Sequence, residues 1–112
     1  MNSEIKLLLK NLVLLIVGSR YAEIVNRGEN GRLSASEMED AINDYPGVIT
    51  IPPDTAYDTA YVYDIYDNNT EARKIEFDLW YDDEVSDLTL SVDVHKDEKG
   101  DFVITIDDIH VL

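Results

Sequence analysis

Two histidines, 24 Asp and Glu and no cysteine bound the chemistry open to this 112-residue chain. His95 and His110 fall on different strand candidates, with no thiol to activate and no Gly-x-Ser-x-Gly elbow to present a serine. Lack of cysteine also excludes a disulfide framework, a thiolate zinc site and a thiol nucleophile. Asn30-Gly31-Arg32-Leu33-Ser34 has no phosphate-loop lysine and reads as a turn before a helix. Asp78 and Asp107 could imitate a glycosidase carboxylate pair, but on an open sheet without a cleft for a sugar. Asp82-Asp83-Glu84-x-x-Asp87 offers hard oxygen ligands suited to calcium or magnesium, yet without the glycine and spacing of an EF-hand loop. The expectation is a protein that is not an enzyme, with no catalytic residue, cofactor or resident metal.

What the chain holds in excess is negative charge. Its formal net charge is -15, against only nine Lys and Arg. Each phosphate contact needs a cation, so direct binding to nucleic acid or an anionic membrane is disfavoured, and the expected partner is basic. The excess is uneven. Residues 1–63 hold nine acids and five bases, whereas residues 64–112 hold 15 acids and four bases, so an electrostatic function belongs to the second half. Disorder is not expected despite the charge, because seven Tyr, two Phe, one Trp and many branched aliphatics supply a core.

The elements that must position these acids are legible from hydrophobic period. The apolar run from Ile5 to Val17 carries Lys6 and Lys10 and is short of the roughly 20 apolar residues of a membrane span. With Glu4 ahead of it, it reads as a core helix of a cytoplasmic protein rather than a signal peptide. Ser3 is the expected cap. Leu7 and Leu14 extend the apolar surface around most of the helix, which predicts burial against more than one neighbour. A short helix over 20–27 should turn Tyr21, Ile24 and Val25 inward and end at Gly28. Ser34-Ala35-Ser36-Glu37 is a capping box, flanked by the Leu33–Met38 staple, and opens a helix that Pro46-Gly47 stops. Beyond a short strand at Val48–Ile51, the period changes from helical to alternating.

Four strands are predicted, over about 60–67, 72–81, 87–96 and 101–110, joined by turns at Asn68-Asn69-Thr70, 82–86 and 97–100. The fold class is therefore α+β: one domain over 1–112, mainly helical over 1–47, with the helices on one face of a four- to five-stranded antiparallel meander over 48–112. Ile75, Phe77, Leu79, Leu88, Leu90, Val92, Val94, Phe102, Ile104 and Ile106 form the inner rows. Parity breaks near Asp107-Asp108, which predicts a bulge. The turns suggest Trp80 opposite Thr89, Asp78 opposite Ser91, Glu76 opposite Asp93 and Asp64 beside Lys74. The outer face would then be a field of Asp64, Glu76, Asp78, Asp93 and Asp107, bordered by the aromatic anchors Trp80 and Tyr66. Asp82, Asp83, Glu84 and Asp87 would add a flexible acidic arm. Crowded like charges cost stability, so the crowding points to docking of a cationic protein; the other reading is a charged face that only solvates the sheet and prevents edge pairing.

The segment from Leu79 to Leu90, Leu-Trp-Tyr-Asp-Asp-Glu-Val-Ser-Asp-Leu-Thr-Leu, and the ending Ile106-Asp107-Asp108-Ile109-His110-Val111-Leu112 resemble a family of short uncharacterised bacterial proteins, with Leu33-Ser34 and Pro52-Pro53 extending the likeness upstream. In size, acidity and architecture the chain also resembles immunity proteins of contact-dependent growth-inhibition and related polymorphic toxin systems. That resemblance implies a cytoplasmic inhibitor that covers the substrate or catalytic cleft of a cognate basic toxin domain such as an RNase; the net charge opposes self-association, so a monomer is expected when free. The alternative is a nucleic-acid mimic whose carboxylates replace phosphates on DNA- or RNA-binding proteins.

Overall fold

A computed structural model describes residues 1–67 and 70–111, and the side chains of these except at 66, 67, 70 and 71. Three helices come first: α1 (Ser3–Val17), α2 (Tyr21–Asn26) and α3 (Ala35–Asp44). The strands are β1 (Ile49–Thr50), β2 (Tyr61–Asp67), β3 (Thr70–Tyr81), β4 (Glu84–Lys96) and β5 (Phe102–Val111). A 3₁₀ helix, Asp54–Thr59, links β1 to β2. All strand pairs are antiparallel, and β2 to β5 form the expected meander. The addition is that β1 and β2 share one edge of the long strand β3, β1 beside Trp80 and Tyr81 and β2 beside residues 70–76.

Local chemistry explains the helix ends. Asn2, rather than Ser3, caps α1, its side chain accepting from the amides of Glu4 and Ile5. The end of α2 is closed by two hydrogen bonds, Gly28 N–H to Val25 C=O and Glu29 N–H to Ile24 C=O, with Gly28 at φ +71°. These bonds satisfy carbonyls that the helix leaves over. The Ser34–Glu37 capping box is formed in both directions, at 3.1 Å each way. Past α2, Gly31 presses on β5. A Cβ there would sit 2.1 Å from the Ile106 carbonyl oxygen, and φ is +58°, so no other residue fits. Beside it, Ile106 N–H donates to the Glu29 carbonyl at 2.7 Å, occupying that point of the β5 edge.

One apolar core lies between the helices and the inner face of the sheet. Every inner-row residue named from the sequence is buried, except that Phe102 is only half-buried. Two apolar expectations do not hold. Leu7 and Leu14 are exposed although α1 packs on both α2 and β5, because the two contacts together close only part of its circumference. Val25, expected to face inward, is exposed as well.

Register decides which acids share a face. The bulge near Asp107 is present: Ser91 pairs with Asp108 and Val92 with Ile106, leaving Asp107 as the extra residue. Asp93 lies opposite Thr105. Between β3 and β4, however, Asp78 pairs with Thr89, Glu76 with Ser91 and Trp80 with Val85. The predicted five-residue loop is instead a two-residue turn, Asp82-Asp83, with φ of 51° and 62°, the left-handed pair of a type I′ hairpin. The slack moves into β4, where Ser86 to Leu88 form a bulge opposite Leu79. Ser86 Oγ plugs it, donating to the Leu79 carbonyl and accepting from Leu88 N–H.

Candidate functional site

Five outer-face carboxylates were expected together, and the structure divides them. Asp64 leaves the group altogether. It pairs with Arg73, not Lys74, because Thr70 belongs to β3 and pairs with Asp67 instead of serving in the turn. A one-residue slip moves a side chain to the opposite face, so Asp64 stands on the inner-face side, with its Oδ1 3.2 Å from Arg73 Nε. The side chain of Tyr66 and the Asn68-Asn69 turn lie outside the described residues. On the outer face β2 contributes Tyr61, Tyr63 and Ile65, opposite Glu76, Lys74 and Ala72, and all three are exposed. Tyr61 and Tyr63 stack at 5.9 Å between ring centroids.

The other four acids separate into two groups along β3. At one end Lys74 takes two of them, with Asp107 Oδ2 at 2.7 Å and Asp93 Oδ1 at 3.5 Å. Arg32 adds a longer contact to Asp107 at 3.7 Å. The bulge at Asp107 turns its carboxylate over the outer face, where it reaches across to Lys74. Hydrogen bonding from Lys74 pulls the Asp107 pKa below the usual carboxylate range, and the same bond raises that of Lys74. This group is an internally neutralised cluster.

Glu76 and Asp78 form the second group, and among the described residues neither has a lysine or arginine within ion-pair distance. Thr89 Oγ1 donates to Asp78 Oδ1 at 2.9 Å, which fixes the carboxylate from below. Thr89 and Ser91 are themselves buried, an outcome the alternating pattern hid. They are short residues of the central strand, between Asp78 and His110 in one row and Glu76 and Asp108 in the next.

Beside this second group the sheet is notched. β2 stops pairing at Glu76 and β1 begins at Trp80, so Phe77, Asp78 and Leu79 have no strand neighbour on that side. The 3₁₀ helix fills the inner part of the gap. Its Tyr57 is buried and stacks on Phe77 at 4.8 Å and an interplanar angle of 7°. Lys6 and Lys10 of α1 hold Asp54, at the start of that helix, at 3.3 and 3.2 Å. What remains open is a cavity of about 490 Å³, lined among others by Pro53, Thr55, Tyr61, Glu76, Asp78 and Trp80. The sequence named three of these side chains, but the cavity itself depends on two strands sharing one edge, for which no local pattern exists.

The acidic hairpin is braced rather than a flexible arm. Asp82 N–H donates to the Val48 carbonyl and its carboxylate accepts from Val48 N–H, while Asp83 N–H donates to Thr50 Oγ1. Gly47, at φ +103°, makes room for this: a Cβ there would lie 2.5 Å from Asp82 Oδ2. Tyr45 Oη donates to Asp87 Oδ1, and Tyr81 Oη donates to the Ile42 carbonyl at 2.6 Å, tying α3 to the same end of the sheet. Burial pushes the Tyr81 hydroxyl up to about 12. Asp82, Asp83 and Glu84 are exposed beyond these bonds. Among the described residues no group of three or more His, Asp or Glu is arranged to hold a metal ion.

A family model described as Domain of unknown function (DUF7668) matches residues 13–112, which include α2, α3, the whole sheet and every side chain that lines the notch. The chain belongs to that family. No curated protein and no solved structure matches it. Membership thus carries no activity to the site. Among the described residues no helix is long and apolar enough to cross a membrane.

Proposed function

We propose that this protein is a non-enzymatic binding protein that docks a basic protein through the Trp80 end of its outer sheet face, and that the partner is a toxin domain whose cleft it covers. The observation that carries the reading is the pair Glu76 and Asp78, set beside Tyr61 and Trp80 without a cation of their own among the described residues. Carboxylates left uncompensated on an exposed face attract a cationic partner and accelerate its encounter. Aromatic side chains at the same place supply the apolar contact that such an encounter needs to persist. Asp93 and Asp107, already shared by Lys74, contribute little to that field. The toxin as partner, the RNase as its type and the cytoplasm as its place rest on the resemblance to immunity proteins.

The test asks whether a reading frame adjoining this one encodes a basic protein, and whether that protein binds. A complex is expected, with association slowed about tenfold or more, and made less salt-dependent, by reversing Glu76 and Asp78 to lysine. Asp93→Asn should leave the rate nearly unchanged. No complex with that protein, or competition with nucleic acid for many unrelated binding proteins, would overturn the reading.

A further inference from the structure

We propose that the notch between β1 and β2 is a guanidinium site, which takes one arginine side chain from the docked partner. This rests on the outer-face reading but assigns the chemistry of its central contact. The register sets out the parts. Tyr61 stands opposite Glu76, and Glu76, Asp78 and Trp80 follow one another along the same face of β3. The cavity they line is concave, about 490 Å³, and walled on its far side by Pro53 and Thr55. That volume is far more than one side chain needs, so the arginine enters with part of its own backbone segment.

Arginine fits this lining better than lysine. A guanidinium is flat, stacks on aromatic rings and presents a fork of N–H donors to carboxylates, whereas an ammonium is a compact, strongly hydrated point charge. Thr89 holds Asp78 Oδ1, so the carboxylate is already oriented and its second oxygen is left for a donor. Glu76 offers another, beside the ring of Tyr61. The aromatic walls lower the local dielectric, which strengthens both charge-assisted bonds. Tyr57 stacked on Phe77 keeps the gap from closing, because it fills the space that a continuous edge strand would otherwise take.

Trp80 is the chain's one tryptophan, so its fluorescence and its indole N–H resonance report from inside the site. The probe is the blocked tripeptide acetyl-Gly-Arg-Gly-amide, compared with the same peptide carrying citrulline or lysine. Saturable change in the Trp80 signals is expected with arginine, with binding about tenfold weaker for lysine and none for citrulline. Glu76→Gln with Asp78→Asn should weaken the arginine peptide by about tenfold or more. Glu39→Gln with Asp40→Asn, which removes equal charge from exposed positions of α3, should not. No saturable change, equal binding of citrulline and arginine, or equal loss in both double variants would overturn the proposal. The two readings fail separately: a notch that takes the peptide while the adjoining protein does not bind sinks the docking reading, and a partner complex slowed by reversal of Glu76 and Asp78, with no saturable peptide binding, sinks the notch.

Discussion

The two ends of the outer face are built from the same residue types and reach opposite electrostatic states. At the Lys74 end, one cation sits between Asp93 and Asp107, and the bulge at residue 107 brings the second carboxylate to it. At the Trp80 end, Glu76 and Asp78 face a cavity and two aromatic rings, with no cation within ion-pair distance among the described residues. Composition alone would rank both ends as equally acidic. Whether an acid is available to a partner depends on register and on where the few cations are spent. In a chain with nine Lys and Arg, the acids left over are more informative than the acids present.

The largest perturbation of this contrast acts beneath it. Tyr57→Ala removes a buried ring stacked on Phe77 and should cost about 3–5 kcal/mol. Urea unfolding should show the loss, and the Trp80 fluorescence of the folded variant should shift as the notch loses its inner wall. A cost below about 1 kcal/mol would mean that the 3₁₀ segment does not shape the notch. Next comes Lys74→Met, which takes the cation from Asp93 and leaves Asp107 only its longer contact with Arg32. A loss of about 1 kcal/mol at neutral pH is expected by the same measurement. If the variant is as stable as the parent, the two ends do not differ in the way described.

How much of this contrast the sequence carries depends on parity. The inner rows of β3, β4 and β5 were legible because the expected and observed β3–β4 registers differ by an even number of residues, which leaves each side chain on its face. The bulge at Asp107 was legible because the apolar row resumes one residue late at Ile109, which is buried. The capping box needed only local spacing. Asp64 was misplaced because a single residue, Thr70, moved from turn to strand, and an odd shift changes the face. Asp82-Asp83 concealed a type I′ turn, a conformation more often given to Asn-Gly or Asp-Gly. The positive φ of both residues is held by Val48 and Thr50, far away in sequence. The notch could not be read at all. It follows from β1 and β2 meeting the same edge of β3, and the loop between them gives no local sign that its Tyr57 is buried.

The pH dependence separates the two ends without removing any contact. Asp107 has its pKa held down by Lys74 in the folded state. A depressed acid stabilises the fold above its unfolded pKa of about 3.9, and that contribution is lost as pH falls through the lower folded value. The stability gap between the parent and Lys74→Met should therefore be full at neutral pH and shrink once the pH drops below about 4. Urea midpoints measured on both proteins across that range check it. A gap that stays constant to low pH would show that Lys74 stabilises by packing its stem rather than by its charge.

The smallest effect is the one that defines the other end. Glu76→Gln with Asp78→Asn removes two like charges from one strand face and no described ion pair. Neutralising them should change stability by at most a few tenths of a kcal/mol, with the relief of repulsion set against a weakened Thr89 hydrogen bond. Acids maintained for the fold would cost more than this when neutralised. A loss above about 1 kcal/mol would place Glu76 and Asp78 among the structural acids with Asp107. A near-zero change in unfolding, together with an unchanged tryptophan spectrum, would leave binding as the physical reason for two uncompensated carboxylates beside Trp80.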